Sequence, residues 1–116
     1  MNLTKKDYIN ILNYYGTIFD ITLPINILRK MSEKIIAEKL CRCIKKVNKS
    51  NNNESRSIAI CNKSVIKNKK LKIYKFSCKK KPQLKLKKLA LSKDRKLYKT
   101  TRNKINLTRK YKKKKN

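Results

Sequence analysis

The distribution of positive charge is the feature of this sequence that most limits how the chain can fold. The 116 residues include 35 Lys and Arg against six Asp and Glu, a formal net charge of +29. Residues 1–54 hold ten basic and five acidic residues, whereas residues 55–116 hold 25 basic residues and one acidic residue, Asp94. Like charges at this density repel one another in a compact state. We therefore expect a small apolar core and a polyanionic partner for the second half.

The length and the N-terminal sequence limit which classes of protein this chain can belong to. A chain of 116 residues is long enough for one domain. The start, MNLTKKDYIN, has no apolar run behind its lysines, so we expect no secretory signal and an intracellular location. Residues 8–28 carry few charges but contain Asp20 and Pro24, so we expect no transmembrane segment.

Two helices are predicted in the first half. Thr4 is suited to cap a short helix that ends at Gly16. Ser32 is suited to cap a second, amphipathic helix with a basic outer face. At 100° per residue, its apolar stripe contains Ile36, Leu40, Cys43, Ile44 and Val47, and its basic face contains Lys34, Arg42, Lys45 and Lys46.

The second half predicts a third helical segment, a hairpin and a tail. SIAICNKSVIK has helical spacing, and LKIYKFSC and LKLKKL alternate as two antiparallel strands with one basic face. From Ser92 onward apolar residues are few, so we expect a flexible cationic tail. The predicted fold is α+β: two or three short helices packed with a basic β-hairpin. The predicted segments are an N-terminal helix and connector (1–25), a core (26–91) and the tail (92–116).

The four cysteines have two competing interpretations. Cys41, Cys43, Cys61 and Cys78 together would suffice for a tetrahedral zinc site. In a continuous helix, however, Cys41 and Cys43 point about 160° apart, which keeps both from one ion. Unpaired cysteine packs like a small apolar residue, and three of the four fall on apolar faces. We favour buried thiols, with a zinc site as the alternative and redox roles or disulfides as the remainder.

Catalysis is not expected. Histidine is absent, the six carboxylates are scattered and a single glycine excludes a glycine-rich phosphate loop. No cofactor is expected apart from the alternative of zinc.

The basic residues are the candidate site. Lysine outnumbers arginine, and lysine contacts phosphate as a mobile point charge, whereas arginine reads base edges. We expect sequence-tolerant binding to nucleic acid, DNA in preference to RNA. Tyr74, Phe76, Tyr98 and Tyr111 are suited to stack on bases, although core packing is favoured for Tyr74 and Phe76. The expected phosphate contacts are Arg42, Lys45, Lys46, Lys79, Lys80, Lys81, Lys85, Lys87, Lys88, Arg95, Arg102 and Arg109.

Three strings, EKLCRCIKKV, IAICNKSVI and KFSCKKK, occur in this order. Over residues 28–82 the chain resembles a family of small basic cysteine-containing proteins of nucleocytoplasmic large DNA viruses. In that family the middle string is followed by a Lys-Gly-Leu turn, where this chain has KNKKL. The resemblance implies a viral protein located in the virion or the viral factory, in the host cytoplasm or nucleus; it assigns no site residue.

Two functions follow as hypotheses. The first is a non-enzymatic nucleic-acid-binding protein that acts in viral genome condensation or packaging. The alternative is a minor structural protein that docks on a viral capsid protein or on the inner membrane.

Overall fold

Three helices and two pairs of short strands form the α+β fold that the sequence predicts. The computed structural model describes residues 2–51, 53–79, 81–86, 94–102 and 104–107. The helices are α1 (Lys5–Tyr14), α2 (Ile25–Asn51) and α3 (Glu54–Cys61), and α3 continues through a π-helical turn (Asn62–Ile66) and a 3₁₀ turn (Lys67–Lys69). The strands are β1 (Leu71–Ile73), β2 (Lys75–Ser77), β3 (Gln83–Lys85) and β4 (Leu97–Lys99).

Helix α1 begins with a capping box. The Thr4 hydroxyl accepts a hydrogen bond from the Asp7 N–H at 3.2 Å, and the Asp7 carboxylate accepts one from the Thr4 N–H at 2.9 Å. These two bonds satisfy donors that the first turn of a helix leaves open. Gly16 follows the helix with a φ of +69°, a conformation that glycine adopts without a Cβ clash. The cap at Thr4 and the stop at Gly16 are both confirmed.

Helix α2 is longer than the sequence predicts. It starts directly after Pro24, whose carbonyl accepts hydrogen bonds from Ile27 and Leu28. Ser32, the predicted cap, is fully buried inside the helix, and its hydroxyl donates to the Tyr8 carbonyl at 3.3 Å. The predicted start was wrong because Leu28 continues the apolar stripe by one further turn. At 27 residues the helix is about 40 Å long.

The core forms around α2. Its buried stripe includes Leu28, Ile36 and Leu40, each with no exposed surface. Helices α1 and α3 and the β2–β3 pair all pack on this one helix. The stripe predicted from helical periodicity therefore lies where the other elements meet.

The predicted strand LKIYKFSC is interrupted at Tyr74, and its two parts pair with different partners. Strand β2 pairs antiparallel with β3, with Phe76 opposite Leu84, which confirms the predicted hairpin in part. Strand β1 instead pairs with β4, with Ile73 opposite Leu97. The interruption allows one extended segment to belong to two separate sheets.

Strand β4 lies in the stretch that was expected to be a flexible tail. Leu97 has no exposed surface and Ile105 is buried as well, so both belong to the core. The charge of Lys99 is matched by Asp7 on α1, with 2.8 Å between Nζ and Oδ2. The prediction of a tail from residue 92 was wrong for residues 94–102 and 104–107, because two apolar anchors and one ion pair hold them. Residues 108–116 lie outside the described residues.

The turn before β1 has the geometry of a glycine turn. Lys70 has a φ of 63° and a ψ of 35°, in the left-handed region. This conformation costs an L-residue about 1 kcal/mol. The Lys70 carbonyl accepts a hydrogen bond from the Thr100 N–H at 2.8 Å, so the turn is held by the segment that contains β4.

The Asp7–Lys99 ion pair connects the two ends of the fold, and its side chains are only 5% and 9% exposed. Burial alone would raise the pKa of Asp7, but the hydrogen bonds from Lys99 and the Thr4 N–H together with the Lys99 charge lower it below 3.8. A carboxyl with a lowered folded-state pKa stabilises the fold above its unfolded pKa. That stabilisation disappears as the pH falls through the folded-state pKa.

We expect the substitution Lys99→Met to reduce the free energy of unfolding by about 3 kcal/mol at neutral pH, because it leaves the Asp7 carboxylate buried and unpaired. The deficit relative to wild type should shrink as Asp7 becomes protonated in acid. Urea denaturation followed by circular dichroism measures both effects.

The exposed Lys104 supplies a matched control on the same segment. Lys104→Met should change the stability by less than about 0.5 kcal/mol. Equal effects of the two substitutions would show that the Asp7–Lys99 pair does not hold β4.

Candidate nucleic-acid interface

Two disulfides join α2 to neighbours on opposite sides. Cys43 is bonded to Cys61 at the end of α3, with 5.8 Å between the Cα atoms. Cys41 is bonded to Cys78, directly after β2, with 5.7 Å between the Cα atoms. Side chains two positions apart on a helix point about 160° apart, so each cysteine reaches a different neighbour.

The prediction of unpaired thiols was wrong. It rested on an expected reducing environment, whereas all four sulfurs are paired. The thiolate is the form of cysteine that ligates metals, so bonded sulfurs do not provide the proposed zinc ligands. Within the described residues, no group of three or more His, Cys, Asp or Glu side chains is arranged to hold a metal ion.

The Cys41–Cys78 bond places the basic face of α2 beside the β2–β3 turn. A cavity of about 470 Å³ lies at this junction. Its α2 side is formed by Glu38, Arg42 and Lys45, and Pro82 lines its other side next to the disulfide. Two parts of the predicted site, the helix face and the turn, are thereby brought together.

Two further cavities continue from this junction toward the start of α2. One of about 320 Å³ shares Pro82 with the junction, and the next, of about 200 Å³, shares Lys30, Glu33 and Lys96 with its neighbour. We call the three together the α2 groove. Its charged lining comprises eight cations and three acids: Arg29, Lys30, Lys34, Arg42, Lys45, Lys81, Arg95 and Lys96, with Glu33, Glu38 and Asp94.

The spacing of the helix side of the groove suits an extended polyanion. Lys30, Lys34, Arg42 and Lys45 recur at intervals that return to one helix face. From Lys30 to Lys45 the helix rises about 22 Å. Along the axis of a duplex each strand has a phosphate about every 3.4 Å, so the groove matches the axial length of roughly six base pairs.

Four of the predicted contacts line the α2 groove: Arg42, Lys45, Lys81 and Arg95. Lys46 and Lys79 are exposed but do not line it. Four other predicted contacts, Lys80, Lys87, Lys88 and Arg109, lie outside the described residues.

The structure separates the two remaining predicted contacts from the groove. On β3, Leu84 is buried and the next residue, Lys85, is exposed, because successive side chains of a strand point to opposite faces. Lys85 instead lies opposite Lys75 of β2. Arg102 lines a different cavity of about 350 Å³, beside the Asp7–Lys99 pair. Within the part of the chain that the structure describes, the predicted contacts thus do not all line one groove.

Sequence reasoning missed four residues of the groove: Arg29, Lys30, Glu33 and Lys96. Arg29 and Lys30 were missed because the start of α2 was predicted at Ser32, although the apolar Leu28 signals a longer helix. Glu33 lay inside the predicted helix, but an acid was not expected among phosphate contacts. Lys96 was assigned to the tail, and no local pattern relates it to α2.

Glu33 is an unusual acid for such a groove. It is 9% exposed, and its carboxyl group makes no hydrogen bond or ion pair within 4 Å among the described residues. Burial raises its pKa, while the charges of Lys96, Arg29, Arg95 and Lys30 oppose that rise. The pKa of nearby Tyr8 is raised to about 12, first by burial and then by the charge of Glu33.

The aromatic residues expected to interleave with lysines are only partly in the core. Tyr74 is 44% exposed, which contradicts its predicted core position, whereas Phe76 is half-buried against the core. The rings of Tyr74 and Tyr98 meet edge to face at 5.8 Å, and the Lys72 ammonium lies 5.0 Å from the Tyr74 ring centre. Tyr111 lies outside the described residues.

Comparison with known proteins identifies no relative: no protein-family model matches the chain, and neither a curated protein nor a solved structure shows significant similarity. Among the described helices, none combines the length and the apolar character needed to cross a bilayer.

We expect the two disulfides to differ in their access to reductant. Cys78 is exposed whereas Cys61 has no exposed surface, so limiting dithiothreitol should open Cys41–Cys78 first. Trapping with iodoacetamide followed by mass spectrometry measures the order. Alkylation of Cys43 and Cys61 before or together with Cys41 and Cys78 would contradict the expectation that Cys41–Cys78 is the more accessible disulfide.

Proposed function

We propose that the protein is a non-enzymatic nucleic-acid-binding protein that holds a phosphate backbone along the α2 groove. The observation that carries this proposal is the gathering of eight cations in one groove, five on α2 and three from the β2–β3 turn and the segment before β4. Neutralising phosphates releases condensed counter-ions, which provides a large favourable contribution to binding.

The composition of the groove supports binding with little sequence preference. Five of its eight cations are lysines, which contact phosphate without the bidentate geometry that reads a base edge. DNA is the preferred partner, and genome condensation or packaging in a virus is the proposed setting. The setting rests on the resemblance of the cysteine-containing strings to viral proteins.

The chemistry of the side chains supports a binding role rather than catalysis. The chain has no histidine, and all four cysteine sulfurs are engaged in disulfides. The acids that line the groove, Glu33, Glu38 and Asp94, lie among its eight cations. The proposal requires neither a metal nor a cofactor.

One observation favours the alternative of a capsid-associated or membrane-associated structural protein. The connector between α1 and α2 exposes Ile18 to 96% and Ile21 to 62%, and Ile25 at the start of α2 is also exposed. Apolar side chains exposed together are typical of docking surfaces. Binding through them would persist at high salt, whereas binding through the α2 groove would not.

We expect the triple substitution Lys30→Gln, Lys34→Gln and Arg42→Gln to weaken duplex DNA binding and its salt dependence. Each lost phosphate contact lowers the slope of log K against log salt by about 0.9, so the slope should fall by roughly 2 to 3. Fluorescence anisotropy of the full-length, oxidised protein across a salt series measures this slope.

A charge-matched control replaces Lys5, Lys63 and Lys104 with glutamine, because these exposed lysines lie outside the groove. This variant should retain most of the wild-type slope. Equal losses in the two variants would mean that total charge binds DNA and that the α2 groove has no special role.

A further inference from the structure

Glu33 lies where a phosphate-binding groove would be expected to contain only cations and neutral groups. Glu33 lines two of the three cavities of the α2 groove. The surrounding charges of Arg29, Lys30, Arg95 and Lys96 act on it without an ion pair within 4 Å among the described residues. The acceptor oxygens of Glu33 are thus not committed to any of these cations.

A phosphate group is the wrong occupant for the position next to Glu33. Two anions brought together in a partly buried site repel strongly, because the effective dielectric constant there is lower than in water. A bound strand must therefore turn its phosphates toward Lys30, Lys34 and Lys81 at the rim. The part of the nucleotide that approaches Glu33 is then the base.

The cavity of about 320 Å³, which shares lining residues with both of the others, has the dimensions and the lining for one base. Its volume of about 320 Å³ is at the lower end of the range for small-ligand pockets. Pro82 and Leu84 provide an apolar wall beside the carboxylate, against which a flat ring can pack. The cavity therefore combines cations for a phosphate, an apolar surface for a ring and an acceptor for a polar edge.

We propose that Glu33 is a specificity-determining residue that selects an unpaired base with an exocyclic amino group. The amino N–H donates a hydrogen bond to a Glu33 oxygen while Lys30, Lys34 and Lys81 hold the adjoining phosphates. This inference rests on the proposed function, and it adds a preference within single strands to binding that is otherwise set by the backbone.

Cytosine and uracil differ at the position that Glu33 would read. Carboxylates accept hydrogen bonds from the cytosine 4-amino group. Uracil carries a carbonyl oxygen there, which would face the carboxylate acceptor to acceptor. The two bases are nearly equal in size, so a difference in affinity between them reports the hydrogen bond rather than the fit of the ring.

The test measures the affinity of the full-length, oxidised protein for oligodeoxycytidine and oligodeoxyuridine of equal length, at neutral pH and two salt concentrations. Wild type should bind oligodeoxycytidine about tenfold more tightly, the discrimination that one good base-edge contact provides. In Glu33→Gln the ratio should approach one, because the side-chain amide can also donate to the uracil carbonyl. Both affinities should rise, because a negative charge is lost.

Glu38 provides the matched control, since it is the acid of the neighbouring cavity of the same groove. Glu38→Gln should raise both affinities and leave the ratio at its wild-type value. Circular dichroism of each variant verifies that the fold is retained.

The outcomes separate the two proposals. Equal wild-type affinities with a steep salt dependence would overturn the role of Glu33 and leave the proposed function intact. A wild-type preference that Glu33→Gln retains would also overturn the role of Glu33. Failure to bind either oligonucleotide or duplex DNA would overturn both proposals.

Discussion

Covalent attachment of α2 on two opposite sides is the constraint on which the rest of the structure depends. A chain with a net charge of +29 repels itself when it folds, and its apolar core is small. Each disulfide removes freedom from the unfolded chain and stabilises the fold by on the order of 3 kcal/mol. The two bonds together contribute roughly 6 kcal/mol against this repulsion, which is comparable to the whole stability of a typical small domain.

One of these bonds, Cys41–Cys78, also helps to form the α2 groove, the surface for which phosphate binding is proposed. Cys41 precedes Arg42 on α2, and Cys78 precedes the basic turn that leads to Lys81. Bonding the two cysteines brings cations of distant sequence segments to one groove, at an electrostatic cost that a bound polyanion would relieve. Glu33 partly relieves that cost in the free protein. The cations of the groove therefore destabilise the free protein by mutual repulsion, and the same cations would favour the proposed binding of a polyanion.

Local interactions could be predicted from the sequence, and distant ones could not. The capping box of Thr4 depends on neighbours in sequence, and the hairpin of β2 and β3 follows from the alternating segments on either side of one turn. Such patterns predicted the fold class and, on the helix side of the groove, Lys34, Arg42 and Lys45. Strand β4 was missed because its stability depends on Asp7, 92 residues away.

The cysteines illustrate the same limit. Helical geometry alone indicated that Cys41 and Cys43 point in opposite directions, and this is the reason that they bond to different neighbours. Spacing does not reveal whether a buried sulfur meets a partner, since that depends on where α3 and β2 pack. The chemical state was therefore predicted incorrectly from the expected compartment, although the directions were right.

The claim that α2 is held covalently on two sides is tested most directly by the connectivity of the disulfides. Trypsin cleaves after Arg42, between Cys41 and Cys43, so the two disulfides appear in separate peptides. Alkylation of free thiols, digestion without reduction and mass spectrometry should yield LCR joined to FSCK and CIK joined to SIAICNK. That result would establish α2 as the element fixed on both sides. Four alkylated thiols, or CIK joined to FSCK, would contradict the account of how the groove is assembled.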